Sequence, residues 1–344
     1  MAVIRKRRRA NGKLYYQAIV RRRGHPPIYQ SFKRKSAATK WAERIEAEIL
    51  AGRLLPKLEA EKHTVAEAID RYLKNSVGEL SAVEQRNRRG HLAWWRERRG
   101  SMTLADFTPS VIVEDRDLLS RKVSGSTTNR YLATLSVVLD HAHREWQWLD
   151  ENPMRRVRRK KESPGRTRFL AEEERDALLE ACKASKVAML HPLVLFCLTT
   201  GARQGEALAL RWKEVDLVAG TARLLRTKNS DSRVLTLHGE ILTVLGRLAK
   251  TPHISGLVFP GRWGKATFPK KAWAGAVAAA ELEDFRFHDL RHTFASYLAM
   301  SGATLPELAA ALGHRTLAMV KRYSHLTESH SRAVQVRMAE KWLP

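Results

Sequence analysis

The sequence predicts a multidomain, mainly α-helical protein: a small N-terminal β-sheet with one helix, then a helical bundle, then a larger mixed α/β, mostly α, domain. Three observations predict it. The 344 residues suffice for two or three domains. β-rich runs are confined mostly to the N-terminus, while apolar residues recur at three- and four-residue steps over most of the remainder. A basic stretch with helix breakers follows Asn152-Pro153 and separates two long patterned regions. At 44% hydrophobic and 28% charged residues, the chain can bury real cores. The expected divisions are residues 1–61, 62–152, a linker over 153–168, and 169–344.

In the first division Leu14 to Val20 and Ile28 to Phe32 read as strands, with Arg21-Arg22-Arg23-Gly24 and Pro26-Pro27 as turn material. Val3 to Arg8 adds a third strand ahead of an Asn11-Gly12 turn, and Ser36 opens a helix over Ala37 to Leu50. No acidic residue precedes Glu43, so one face of this sheet is expected to be strongly positive. In the second division Thr64-Val65-Ala66-Glu67 has the form of a capping box. Leu132, Leu135, Val138, Leu139, Ala142 and Trp146 form one apolar stripe over Thr127 to Trp148. Arg86, Arg88, Arg89, Arg96, Arg98 and Arg99 fit either a binding face or a solvated one. Beyond Phe169 helices are expected over Ala171 to Lys183, Leu190 to Thr200, around Ile241, and over Ala272 to Ala279, Thr293 to Met300, Leu305 to Leu312 and Leu317 to Tyr323. A hairpin joins Thr221–Thr227 to Arg233–Leu237, and Arg332 to Trp342 forms a last helix.

The formal charge is +26. Residues 1–61 hold 16 Lys/Arg against 5 acids and residues 153–168 hold 8 against 1, so most of the excess sits in a short module and a connector. That is the distribution of a protein clamping a long polyanion at several points, and nucleic acid is the obvious one. Arg7, Arg8, Arg21, Arg22 and Arg23 in the module, and Arg155, Arg156, Arg158, Arg159, Lys160 and Lys161 in the connector, are the candidate DNA contacts. A basic tail serving solubility is the alternative. Two isolated cysteines, Cys182 and Cys197, exclude a disulfide framework or zinc cluster and fit a reduced cytoplasm. The basic start lacks an apolar h-region and no apolar run approaches 18 residues, so neither a secretory signal nor a membrane span is expected.

A G-x-x-x-x-G-K-[ST] loop is missing, which argues against an ATP-driven motor. No acidic triad or His-rich motif gathers metal ligands, so no metal and no other cofactor is expected. Metal-free cutting of DNA needs cationic side chains around phosphorus, a side-chain nucleophile and a proton donor for the leaving oxygen.

Five segments carry a resemblance. They are Thr200-Gly201-Ala202-Arg203-Gln204-Gly205-Glu206-Ala207-Leu208, Thr227-Lys228-Asn229, His288-Asp289-Leu290-Arg291-His292-Thr293, Leu312-Gly313-His314 and Tyr323-Ser324-His325. Present in this order, they resemble the tyrosine recombinases, also called phage integrases. The resemblance covers about half the chain with specificity. More loosely, the bundle is similar to that family's core-binding, SAM-like domain and the N-terminal module to its arm-site DNA-binding domain.

The resemblance implies a site-specific recombinase that cuts and rejoins double-stranded DNA at attachment sites through a 3′-phosphotyrosyl intermediate. It implies a homotetramer on DNA with accessory DNA-bending or directionality proteins, acting in the host cytoplasm and away from membranes. The catalytic residues it implies are Arg203 and Arg291 on the non-bridging phosphate oxygens, His288 as proton acceptor or second hydrogen-bond partner near the phosphate, and His314 as a further donor to it. Lys228 protonates the 5′ oxygen and Tyr323 attacks phosphorus, helped at neutral pH by cations that ease formation of the phenolate. Glu206 and Asp289 orient the arginines. Structural alternatives stand beside these roles: an Arg203–Glu206 salt bridge, a helix-start contact for His288, a helix-ending cap at Gly313-His314, and Lys213 as a rival lysine. A type IB topoisomerase-like enzyme, or a DNA-binding regulator with a vestigial site, is the alternative function.

Overall fold

The computed structural model describes residues 2–8, 13–21, 27–51, 54–163, 165–224, 232–327, 335–336 and 338–341. The chain divides into two compact units, residues 1–164 and 165–344.

The first unit opens with an antiparallel sheet of β1 (Ala2–Arg8), β2 (Leu14–Val20) and β3 (Ile28–Phe32), in that order. Residues paired across strands share a face. The register joins Ile4 to Ala18 and Tyr16 to Phe32 on the face that packs against α1 (Lys35–Leu50), which buries Ala38, Ala42, Ile45 and Ile49 at helical spacing. The open face carries Arg7 with Tyr15, Arg5 with Gln17 and Ser31, and Val3 with Ile19 and Tyr29. The expectation of one strongly positive face is therefore corrected: alternation puts Arg5 and Arg7 on the open face but Lys6 and Arg8 on the other. The Asn11-Gly12 turn, Arg22 and Arg23 lie outside the described residues.

After α2 (Leu54–Lys62) come the bundle helices α3 (Val65–Asn75), α4 (Ala82–Arg99), α5 (Pro109–Ser120) and α6 (Gly125–Arg144). The Thr64 capping box forms, with Thr64 Oγ1 accepting from Glu67 N and Glu67 accepting from Thr64 N. Leu132, Leu135, Val138, Leu139 and Ala142 are buried with Tyr72, Leu92, Trp95 and Phe107. Trp146 falls beyond α6, because the chain leaves the helix after Arg144 and turns through Gln147 at φ 56°; it packs on the core from the loop.

The arginines of α4 are mostly neutralised within the unit. Arg98 and Arg99 both bond to Asp115, which is 0% exposed, Arg96 makes a bidentate pair with Asp70, and Arg88 bonds to Glu84 and the Tyr72 hydroxyl. Arg86 and Arg89 are exposed. The basic stretch expected as a linker is likewise anchored through Glu162. Val157 is buried in the bundle core, Asn129 bonds to both the N–H and the carbonyl of Lys160, and Arg116 donates to Arg158 O at 2.7 Å.

The second unit contains α7 (Glu172–Lys183), α8 (Leu190–Thr200), α9 (Gln204–Ala209), a three-stranded antiparallel sheet of β4 (Val215–Asp216), β5 (Thr221–Leu224) and β6 (Arg233–Thr236), then α10 (Glu240–Leu248), α11 (Lys270–Ala279), α12 (Asp289–Met300) and α13 (Leu305–Leu312). Apolar nearly all round, α8 is buried at ten of its eleven positions and forms the centre of the core. The hairpin strands pair as expected, with the short β4 added at the edge. Leu317 to Tyr323 is not one α-helix but two 3-10 turns, Leu317–Met319 and Lys321–Thr327. In the expected last helix the described residues 335–336 and 338–341 are helical; Ala333 and Trp342 lie outside the described residues. Among the described residues no helix is long and apolar enough to cross a membrane.

Candidate functional site

The site is assembled where three helix ends meet. Helix α8 stops at Gly201 in the left-handed region (φ 64°), where the Phe294 ring lies so close that a Cβ would sit 2.4 Å from it. The chain then presents Arg203 at the N-cap of α9. Helix α13 ends at Gly313, also left-handed (φ 62°), which turns His314 back while its amide bonds to Ala309 O. Helix α12 begins at His288 and carries Arg291 and His292 in its first turn.

These ends are tied by one network. Arg203 donates to Glu206 through its backbone N–H (2.8 Å) and its guanidinium (2.7 Å), so the salt bridge considered from sequence is present. Glu206 also accepts from Arg233 at 2.9 Å, and Arg233 donates to Leu312 O. Leu312 O accepts a second guanidinium, that of Arg291, which further donates to Gly201 O at 2.6 Å and lies 3.0 Å from His314 Nε2. Arg203, Glu206, Arg291 and His314 are thus brought together, joined by Arg233.

Among the described residues one carboxylate serves this group of three guanidiniums, bonding to Arg203 and Arg233, and two backbone carbonyls fill the remaining places. Arg291 is 4% exposed; burial, then repulsion from Arg203 and Arg233, lowers its pKa to about 9. Burial would raise the carboxyl of Glu206, but the Arg203 N–H and the Arg233 charge outweigh it and hold it below its usual range. Burial followed by the nearby arginines brings His314 down to about 4, so its ring is neutral at pH 7. His314 Nδ1 is buried without a protein partner among the described residues.

Tyr323, 2% exposed, packs among Ala295, Ala299, Leu308, Leu312 and Val320, and its hydroxyl lies 2.5 Å from His292 Nδ1. Burial raises its pKa despite Arg322 and Arg291, which corrects the expectation that surrounding cations ease the phenolate in this state. His288 is exposed, its ring 5.3 Å from that of His292; desolvation of its inner side and the Arg291 charge lower its pKa. Asp289 is corrected as well: its oxygens bond to Arg166 and to Arg286 N, and among the described residues Arg166 is its guanidinium partner. Lys228 lies outside the described residues, and the rival Lys213 is exposed.

Sequence reasoning assigned no role to Arg233 or His292. Signals for both were available: a charged residue opening the returning strand of the hairpin, and a histidine directly after Arg291.

Among the candidate DNA contacts, Arg7, Arg8, Arg21, Arg155, Arg158, Arg159 and Lys161 are exposed. Arg156 is exposed and pairs with Glu151, and Lys160 pairs with Asp117 at 2.8 Å. Arg22 and Arg23 lie outside the described residues.

Comparison with known proteins identifies the family and the fold. The Phage integrase family profile matches residues 168–330. The chain is 32% identical over 280 residues to the shufflon-specific DNA recombinase of Escherichia coli, covering 79% of this chain and 71% of that one. It is 30% identical over 219 residues to the integrase of Salmonella phage P22, covering 60% of this chain and little more than half, 55%, of that protein. In fold it is similar to the Tn1549 transposon integrase in complex with transposon right end DNA (TM-score 0.67, 19% identity, 80% of this chain and 99% of that chain). It is also similar in fold to the lambda integrase tetramer bound to a Holliday junction (TM-score 0.63, 19% identity, 92% and 94%). The chain belongs to the phage integrase family of tyrosine recombinases, the site-specific DNA recombinases.

Proposed function

We propose that this recombinase integrates and excises a phage or related mobile element by cutting and rejoining double-stranded DNA at attachment sites. The observation that carries the reading is the charge balance of the site among the described residues: three guanidiniums with one carboxylate, two of them sharing the Leu312 carbonyl. A phosphate diester bearing one negative charge is the ligand such a cradle lacks.

In the proposed reaction the phenolic oxygen of Tyr323 bonds to phosphorus and the P–O5′ bond breaks. The phenolic proton leaves with attack, and Lys228 supplies a proton to the departing 5′ oxygen. Arg203 and Arg291 hold the non-bridging oxygens, His314 adds a hydrogen bond, and His288 serves as proton acceptor or partner from the exposed edge. Glu206 orients Arg203. The 3′-phosphotyrosyl ester keeps the bond energy, and attack by a 5′ hydroxyl of the partner strand reverses the step without ATP.

For DNA binding we infer two surfaces: the open sheet face with Arg5, Arg7, Gln17 and Ser31, and the exposed Arg155, Arg158, Arg159 and Lys161. A homotetramer on DNA, accessory bending or directionality proteins and action in the host cytoplasm complete the reading. The lambda integrase tetramer supports the first of these by similarity of fold. Recombination of the kind carried out by a shufflon-specific DNA recombinase is a second reading. It is favoured by the similarity to the shufflon-specific recombinase, which spans more of both chains than the match to the P22 integrase.

The test is covalent trapping. The protein is incubated with DNA spanning the ends of the element that carries the gene, denatured, and examined for an adduct on the 3′ side of the break. An adduct abolished by Tyr323→Phe is the expected result; tight binding without an adduct points to a regulator. Sites in direct and in inverted orientation on one plasmid separate excision from inversion.

A further inference from the structure

We propose that His292 is a positioning residue for the nucleophile: its Nδ1 receives the hydrogen bond of the Tyr323 hydroxyl and fixes where the phenolic oxygen stands before DNA is cut. The inference rests on the reading of Tyr323 as the nucleophile. The ring within hydrogen-bonding distance of the phenolic oxygen is His292, at 2.5 Å, whereas His288 faces solvent.

The geometry follows from helix phase. Arg291 and His292 are consecutive on α12, so their side chains leave the axis about 100° apart. Arg291 points to Gly201 O, Leu312 O and His314, while His292 points to Tyr323. One turn of helix thus serves both the phosphate cradle and the nucleophile, and sets the spacing between them.

The chemistry of the pair is matched. Burial, with help from His288, brings the His292 pKa to about 4, and burial raises that of Tyr323, so at neutral pH a neutral imidazole faces a protonated phenol. The phenol is the donor and the unprotonated Nδ1 the acceptor, with the ring proton on Nε2. Neither group would be satisfied alone in this core, which gives the pair a strong preference for staying together. The phenol is then held at both ends: its ring by Leu308, Leu312 and Val320, its oxygen by His292. In-line attack on phosphorus depends on such placement.

The experiment measures single-turnover adduct formation on a nicked duplex spanning the junction between the element and its host DNA. It is paired with ligation of a matching duplex whose scissile phosphate is a 3′-p-nitrophenyl ester. The ester carries its own leaving group, so its ligation needs the arginines but no tyrosine. His292→Leu is expected to slow adduct formation about tenfold, the effect of one lost orienting hydrogen bond. His292→Asn, whose side-chain oxygen can take the same hydrogen bond, is expected to recover most of the rate. Ligation of the ester by Tyr323→Phe is expected to be unchanged when His292→Leu is added. A His292→Leu rate equal to or above that of the parent overturns the proposal. Equal losses in adduct formation and ester ligation also overturn it, since His292 then supports the fold or the cradle. Absence of an adduct from the parent protein is a separate failure, that of the recombinase reading, and the inference falls with it.

Discussion

Arginine clusters occur in both units, and their counter-charges differ. In the bundle, Arg98 and Arg99 meet Asp115 and Glu114, two guanidiniums against two carboxylates, and Arg96 has Asp70 to itself. In the second unit Arg203 and Arg233 share Glu206, while Arg291 beside them bonds to the carbonyls of Gly201 and Leu312. A carboxylate neutralises a guanidinium, whereas a carbonyl satisfies its hydrogen bonds and leaves the charge in place. Among the described residues the first cluster is complete by itself; the second has bonds but fewer carboxylates than guanidiniums. Counting arginines does not separate a structural cluster from a phosphate cradle, and counting the carboxylates around them does.

The largest effect expected from this contrast is at Arg291. Arg291→Ala should lower DNA cleavage by about a hundredfold or more while DNA affinity changes little, the usual result of removing one transition-state donor. Matching losses of binding and cleavage in titrations and trapping assays would make Arg291 structural and erase the difference between the clusters.

Acid stability comes next. Above pH 6.5 His292 is neutral folded or unfolded; as pH falls the unfolded chain takes the proton first, because the folded pKa is about 4. Stability is therefore complete above 6.5 and lost between 6.5 and 4, by about 3 kcal/mol for this group. His314 acts in the same direction. Urea melts at pH 7 and pH 5 should show the loss, and His292→Asn should show less of it.

Arg99→Ala should remove about 2 kcal/mol of stability by taking one partner from the fully buried Asp115, with cleavage per folded molecule unchanged. Reduced cleavage at full occupancy would give the bundle arginines a part in the chemistry. The smallest effect is at Arg96, whose pair with Asp70 is about half exposed on each side; Arg96→Ala should shift stability by less than about 1 kcal/mol.

What was legible in the sequence divides along the same line. β-rich and apolar runs bounded by turn residues placed β2, β3, α8 and α13 at their observed bounds, since run composition and its breakers are local features of the sequence. Motif order brought Arg203, Glu206, Arg291 and His314 into one expected site, and the structure joins them. Counter-charges were not legible, because they come from other elements: Asp115 reaches α4 from α5, and Arg233 reaches Glu206 across 27 residues. Asp289 was misread for this reason, since its position near Arg291 in sequence says nothing of Arg166, 123 residues away. The helical stripe overran at Trp146 because no Gly or Pro marks the turn at Gln147.

Two positions in the site have no side chain at all. Gly201 and Gly313 hold left-handed backbone, the first against the Phe294 ring and the second where a Cβ would lie 2.4 Å from the Arg233 guanidinium. One supplies a carbonyl to Arg291, and the other directly follows the carbonyl that Arg291 and Arg233 share. For a geneticist this enlarges the target: random mutagenesis should return inactive alleles at 201 and 313 as readily as at the arginines, and an inventory of reactive side chains would leave those alleles unaccounted for.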